Sequence, residues 1–302
     1  MKSKTMAVLV HAALLAIAAP AMADKGPSTS TDPYLQPMVP GLQITSILTT
    51  GDVVGTYKMG GIPDGLGAYD NRDGTFTVLM NHEIFADSTG PVGIVRAHGS
   101  KVAYVSSWII DKVTLEVKSG EDLMKRVYQQ VNGLWTLTPA TGALGTTSAF
   151  ARFCSADLAP RSAFYNKGKG TQNRIFMNGE EAGPVYQRGL AHVATGPDKG
   201  SSYILPWAAN ANASWENLLA SPNSGDKTVV IANADGGTNG LYVYIGTKTS
   251  IGNDVERAGL IGGVLYRVSV NGNAADTRAA DAGLGLVLNG RGNYESGFKL
   301  VP

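Results

Sequence analysis

Short runs of alternating apolar and polar residues, bounded by glycine, aspartate or asparagine, recur along this chain and constrain its fold more than any other feature. Such runs are typical of β-strands with one buried face, and the residues between them favour tight turns. Helical periodicity is scarce, and only residues 121–130 and 215–219 predict short helices. We predict strands at residues 43–49, 75–80, 102–111, 115–117, 174–177, 227–232, 241–246 and 263–270.

The composition agrees with a chain that turns often and buries a core. Glycine accounts for 38 of 302 residues, whereas about 7 % is usual. Charged residues make up 16 % and hydrophobic residues 43 %, which excludes a disordered chain, a coiled coil and a collagen. The formal net charge of +1 gives no electrostatic basis for binding nucleic acid or an anionic membrane.

These features predict an all-β fold, and among all-β folds they favour a β-propeller. Strand–turn–strand units recur over too long a chain for one sandwich. No clean repeat is visible, so we expect irregular insertions. Residues 297–302 read as the start of a strand, so we expect a ring that is incomplete at the C-terminus. The predicted organisation is a leader at residues 24–40 and a propeller at residues 41–302.

The first 23 residues have the features of a Sec-type signal peptide. Lys2 and Lys4 precede an apolar stretch at residues 6–19, which is too short to span a membrane. Residues 21–23, Ala-Met-Ala, form a cleavage site, so we predict cleavage after Ala23. We therefore expect an exported protein, periplasmic or extracellular, that has no membrane-spanning segment and is a monomer.

Cys154 is the single cysteine of the sequence. An exported protein with one cysteine has no internal disulfide. Two interpretations of Cys154 stay open on chemistry alone: a buried inert thiol or a metal ligand.

Acidic residues follow several predicted strands and stand beside glycine or asparagine. At strand ends of a propeller such carboxylates can converge, and they then repel one another unless a cation neutralises them. Carboxylate oxygens suit calcium, whereas a thiolate nearby favours a softer transition metal. Each acid is also compatible with a simple turn or a solvated surface. The metal-ligand candidates are Glu83, Glu180, Glu181, Glu216 and Asp235 with Cys154, and Asp64 and His82 are secondary candidates.

Four segments together resemble the PhoX-type alkaline phosphatases. They are Pro-Asp-Gly-Leu at residues 63–66, Leu-Met-Asn-His-Glu at 79–83, Phe-Cys-Ser at 153–155 and Asn-Gly-Glu-Glu at 178–181. The resemblance implies a β-propeller that holds calcium and iron in a central site and hydrolyses phosphate monoesters, small-molecule substrates. It further implies that the acidic candidates ligate metal and that Cys154 ligates iron.

The sequence departs from that family's pattern in three of its segments. Gly179 stands where the family has a cysteine, and Ala234 replaces the first acid of an Asp-Asp pair. The arginine and lysine expected before Glu216, which would hold phosphate, are replaced by Ala-Ser-Trp at residues 213–215. Two alternatives therefore stay open: a calcium-stabilised binding propeller without catalysis, and a calcium-dependent esterase or lactonase.

Overall fold

A computed structural model defines the fold for most of the chain. Residues 1–21 of the predicted signal peptide lie outside the described part, and so do residues 271–297. No helix within the described part is long and apolar enough to cross a membrane. The described residues are 22–85, 94–143, 145–183, 187–211, 213–237, 240–270 and 298–301.

The N-terminal part of the described chain forms two small two-stranded sheets. Strand β1 (Met22–Lys25) pairs in parallel with β2 (Gln43–Ser46), and β3 (Val53–Val54) forms a hairpin with β4 (Tyr57–Lys58). Residues 26–40 contain no strand or helix. The boundary between leader and propeller stays a prediction.

The first large sheet is an antiparallel meander of four strands. Its order is β5 (Pro63–Asp70), β6 (Thr75–His82), β7 (Tyr104–Asp111) and β8 (Val117–Asp122). Buried and less buried residues alternate along most of β6, which is the pattern that predicted this strand.

The second sheet has six strands in the order β11-β14-β15-β16-β9-β10, and β9 joins β16 in parallel. Its first four strands form an antiparallel meander. A 3₁₀ turn (Arg161–Ala163) and the hairpin β12-β13 are inserted between β11 and β14. The strands of this region are β9 (Arg126–Val131), β10 (Leu134–Leu137), β11 (Phe153–Asp157), β12 (Tyr165–Asn166), β13 (Lys169–Gly170), β14 (Ile175–Glu180), β15 (Gly189–Val193) and β16 (Ser201–Leu205).

The third sheet is antiparallel and has the strand order β17-β18-β19-β20-β21. The two helices of the described residues are single turns: α1 precedes this sheet and α2 connects β19 to β20. These elements are α1 (Pro206–Ala209), β17 (Ala213–Ala220), β18 (Lys227–Gly237), β19 (Leu241–Thr247), α2 (Asp254–Arg257), β20 (Val264–Val270) and β21 (Phe298–Val301).

The three large sheets are arranged as blades of a β-propeller, which confirms the predicted fold class. Strands β5, β11 and β17 lie at one edge of their respective sheets. Strand β11 packs against both β5 and β17, and β14 also contacts β17. Each blade therefore presents an edge strand to a common interior, as propeller blades do around a channel.

Apolar side chains fill the space between neighbouring blades. One cluster joins the first and second blades around Leu79, Phe153 and Phe176. Another joins the second and third blades around Met177 and Trp215. Burial of these side chains fixes the blades against each other, since each buried large apolar side chain contributes about 1.5–3 kcal/mol.

Both predicted helices are wrong. Residues 215–219 lie within β17, and residues 121–130 contain the end of β8 and most of β9. Strand β17 pairs with β18, and β9 pairs with β16 far along the chain. These long-range partners override a local preference for helix, which is a weak determinant in short segments.

Gly179 lies where the second and third blades approach most closely. A Cβ atom at this position would lie 2.3 Å from Trp215 Cβ and 3.0 Å from Trp215 O. Trp215 is itself completely buried. The absence of a side chain at Gly179 is therefore a packing requirement of this chain.

We expect Gly179→Ala to destabilise the fold by about 1–3 kcal/mol, because the added methyl group would clash with Trp215 and force strands β14 and β17 apart. Urea denaturation followed by tryptophan fluorescence measures this change. Gly61→Ala is the matched control, because a Cβ there has no neighbour within 4 Å. Equal stability of the two variants would contradict the packing argument.

Candidate metal centre

Each of the three inner strands departs from regular pairing where it carries a candidate residue. The register shifts between Pro63 and Leu66 in β5, and between Phe153 and Ala156 in β11. In β17 it shifts on both sides of Trp215. Bulges re-aim side chains that would otherwise follow the pleat. Here they turn Asp64, Cys154 and Glu216 toward one another.

These bulges assemble two groups of possible metal ligands that share one thiol. Asp64 and Glu83 form the first group with Cys154, and Glu181 and Glu216 form the second with Cys154. Within each group the ligand atoms lie within 4.8 Å of one another. Cys154 Sγ is the point at which both groups meet. We call these five residues the thiol–carboxylate cluster.

Asp235, the remaining acidic candidate from the third blade, lies beside the cluster. It is exposed on β18, and its carboxyl group interacts with that of Glu181. The structure therefore brings five of the six primary and secondary carboxylate candidates together.

Backbone hydrogen bonds join the segments that carry the cluster. The Arg152 N–H donates to the carbonyl of Ile84, and the Glu181 N–H donates to the carbonyl of Arg152. Arg152 has a positive φ of 48°, a conformation that non-glycine residues adopt rarely and at a cost. The strained residue thus connects the segment after β6 to the segment after β14.

The Arg152 side chain is the cation of the cluster. Its Nε donates to Glu83 Oε1 at 2.9 Å, and its second terminal nitrogen lies 3.4 Å from Glu181 Oε2. About one third of the side chain is exposed. The sequence reasoning missed Arg152, although a charged residue two positions before the only cysteine was a usable signal.

The carboxyl groups carry the signature of a crowded anionic site. Burial, with repulsion from Glu83 and Glu216, raises the pKa of Asp64. Burial also raises the pKa of Glu181, and Glu216 adds to the effect. One arginine cannot neutralise the four carboxylates of the cluster and the neighbouring Asp235. The folded protein therefore holds these groups against their mutual repulsion.

The thiol of Cys154 is protonated in this arrangement. Sγ donates to Glu181 Oε2 at 2.6 Å. Burial, together with the Glu181 and Glu83 carboxylates, raises the pKa of the thiol far above its usual value. A metal that binds through this sulfur must displace its proton, so binding would become tighter as the pH rises.

Ser155 was not predicted as a site residue, yet it touches the cluster. Its hydroxyl donates to Glu216 Oε1 at 3.0 Å. Because Cys154 and Ser155 occupy the same bulge, their side chains reach different carboxylates from one point of the chain.

The structure places Glu180 away from the cluster. Its carboxylate is completely buried and accepts hydrogen bonds from Arg188, the closest at 2.6 Å, and from the Ala151 N–H. Arg188 in turn donates to the carbonyls of Thr147 and Ala149. Successive residues of an extended chain point to opposite sides. Glu180 therefore fixes the segment before Cys154, while Glu181 faces the cluster.

The structure also places His82 in the core rather than at the cluster. Its ring stacks on that of Tyr104, with centroids 4.0 Å apart, and its Nε2 lies 2.8 Å from Ser106 Oγ. Burial and the charge of Arg96 lower the pKa of His82 to about 3. The neutral ring supports the strand end that delivers Glu83.

Comparisons with known proteins found a distant similarity in structure and none in sequence. No protein-family model and no curated protein matches the chain. Among solved structures, the chain is similar to Pseudomonas fluorescens PhoX in complex with vanadate, a transition state analogue. The sequence identity is 11 %, the TM-score is 0.47, and the match covers 72 % of this chain. The chain spans about half of that protein, since the match covers 47 % of it.

In the presence of a chelator we expect Glu216→Gln to raise the melting temperature by a few degrees. The substitution removes one repelling charge, and its amide oxygen can still accept from Ser155. The raised pKa values mean that the folded state binds protons more tightly than the unfolded state. The clustered acids therefore destabilise the fold increasingly as the pH rises through these values, and the gain from Glu216→Gln should grow in the same direction.

Thermal melts at several pH values measure this difference. Glu116→Gln is the control, because Glu116 is exposed in the connection between β7 and β8. A melting temperature below that of the unaltered protein for Glu216→Gln in chelator would contradict the repulsion argument.

Proposed function

We propose that the protein is an exported, metal-dependent phosphatase-like hydrolase of small phosphate monoesters. The observation that carries the proposal is the convergence of Asp64, Glu83, Cys154, Glu181 and Glu216, delivered by three blades, around one thiol. The resemblance of the four sequence motifs to PhoX-type phosphatases supports the same conclusion.

The donor chemistry fits the metals that the resemblance implies. Converging carboxylates, of which Asp64 and Glu181 have raised pKa values, and one arginine leave an excess of negative charge, which a divalent cation would relieve. Oxygen-rich ligand sets suit calcium, and the Cys154 sulfur suits iron. Asp64, Glu83, Glu181 and Glu216 would hold the metals together with Cys154, and Asp235 would support Glu181. When bound, such metals supply Lewis-acid stabilisation of phosphoryl oxygens.

Arg152 is the residue that favours phosphate over an uncharged ester. A guanidinium group matches phosphate oxygens with paired hydrogen bonds. The partly exposed side chain contacts Glu83 and Glu181, and metal binding to those carboxylates would release it toward substrate. Arg152 would then supply the positive charge that the segment before Glu216 lacks. Hydrolysis adds water across the phosphorus–oxygen ester bond and releases an alcohol, so no redox partner is needed.

Two other functions make different demands on the same site. A calcium-stabilised binding propeller needs the carboxylates but no turnover, and its Arg152 would stay paired with them. A calcium-dependent esterase or lactonase needs the carboxylates for calcium, but it needs no cationic side chain such as Arg152 for its uncharged substrate. Elemental analysis of the purified protein separates these cases in part. Calcium with iron favours the phosphatase, and calcium alone favours the other two functions. A protein that contains neither calcium nor iron would overturn the site assignment.

We expect the full chain, supplied with calcium and iron, to hydrolyse p-nitrophenyl phosphate. Glu83→Gln should reduce the rate by about 100-fold or more, because it removes a charge that holds both metal and Arg152. Release of p-nitrophenol measures the reaction, and p-nitrophenyl acetate tests the esterase alternative. No phosphate hydrolysis across metals and pH values would refute the proposal.

We further expect Arg152→Gln to raise KM for p-nitrophenyl phosphate by about tenfold or more, because a charge-assisted contact with the phosphoryl group is lost. The KM of Arg152→Lys should lie between that of Arg152→Gln and that of the unaltered protein, since lysine keeps the charge but not the paired geometry. Arg126→Gln on β9 is the control. An unchanged KM in Arg152→Gln would exclude Arg152 from substrate binding.

A further inference from the structure

A series of hydrogen-bonded, buried polar side chains starts at the bulge that carries the cysteine, passes through Asn81 of the first blade and continues into the second blade. Cys154 and Ser155 form this bulge, which we call the 154–155 bulge. All four side chains of the series are completely buried. We call them the amide relay: Asn81 on β6, Asn178 on β14, His192 on β15 and Ser202 on β16.

The relay begins at two backbone carbonyls. Asn81 Nδ2 lies 2.8 Å from the carbonyl oxygen of Cys154 and 3.1 Å from that of Ser155. The register shift at this point interrupts the pairing of β11 with β14. The amide of Asn81 therefore supplies hydrogen bonds at the 154–155 bulge where the strand ladder is broken.

The chemistry of these carbonyls fixes the direction of each hydrogen bond. Carbonyl oxygens only accept, so Asn81 must turn its NH₂ group to them and its Oδ1 to Asn178. Asn178 must then donate through Nδ2, at 2.8 Å, and accept through Oδ1 from His192 Nε2, at 3.0 Å. His192 Nδ1 is left to accept from the Ser202 hydroxyl at 2.7 Å.

One proton arrangement therefore satisfies every member of the relay. It requires a neutral His192 with its proton on Nε2. Burial lowers the pKa of His192 to about 3, so the ring is neutral across the physiological range. Fully satisfied buried networks of this kind are rigid, and partly satisfied ones are costly.

We propose that Asn81, Asn178 and His192 are positioning residues, which hold the 154–155 bulge in the one conformation that aims Cys154 and Ser155 into the thiol–carboxylate cluster. Core packing alone does not require polar side chains at these positions, because apolar residues of similar volume fill a core at least as well. The bulge carries two contacts of the cluster, the thiol to Glu181 and the hydroxyl to Glu216. A loosened bulge would therefore disturb both ligand groups at once.

The importance of this positioning for catalysis rests on the proposed function, but its test does not. Cys154 is the one thiol of the chain, so its reaction with a thiol reagent reports on this bulge alone. The reaction can be followed in chelator-treated protein, without any metal or turnover.

We expect Asn178→Leu to accelerate modification of Cys154 by 5,5′-dithiobis(2-nitrobenzoate) by about tenfold or more, because Asn81 loses the donor that orients it. Asn178→Asp should restore a rate close to that of the unaltered protein. A completely buried carboxyl with no cationic partner is neutral, so it can donate its proton to Asn81 while it accepts from His192. Ser202→Ala, at the far end of the relay, is a milder variant that keeps the test valid if Asn178→Leu does not fold, and it should also accelerate modification.

Ile110→Ala controls for general loss of stability. Ile110 is buried in β7 in the cluster around Trp108, away from the relay. The urea concentration for each variant is chosen so that all variants have the same free energy of unfolding. Under these conditions the reagent should modify Cys154 more slowly in Ile110→Ala than in the relay variants. Modification of Asn178→Leu and Ser202→Ala at the rate of the unaltered protein, or at the rate of Ile110→Ala, would overturn the proposal. Failure of phosphate hydrolysis would leave this result unaffected.

Discussion

Repulsion among carboxylates at the meeting point of three blades is the constraint on which this site depends. Burial and neighbouring charges raise the pKa of Asp64 and of Glu181, and Arg152 is the cation that offsets them. A fold holds such groups together only if its packing overcomes their repulsion. The interfaces between blades supply that packing, through large buried side chains such as Phe153 and Trp215.

Local departures from regular strand geometry convert this packing into a site. Bulges in β5, β11 and β17 coincide with Asp64, Cys154 and Glu216. Close approach of the inner strands requires glycine, since a Cβ at Gly65 would lie 2.7 Å from the carbonyl oxygen of Cys154. Positive φ at Arg152 adds strain beside the same cysteine. Strain and broken pairing concentrate where function needs side chains re-aimed.

Buried polar groups then divide into two roles around the cluster. Glu180 with Arg188, and His82 with Tyr104 and Ser106, support the segments that carry Arg152 and Glu83. The amide relay supports the 154–155 bulge. Adjacent residues therefore act differently: Glu180 points into the core and Glu181 into the cluster, because alternation along an extended chain separates them.

The sequence by itself determined the all-β class and most strands of the first and third blades, and it predicted the residue types of the candidate site, because alternation, turn residues and motif spacing are local properties. Only the tertiary structure decided that residues 215–219 form a strand, since β18 supplies its hydrogen bonds. The tertiary structure likewise placed Glu180 and His82 away from the cluster and brought Arg152 and Ser155 into contact with it. Those outcomes depend on bulges and on contacts between blades, and neither leaves a periodic signal in the chain.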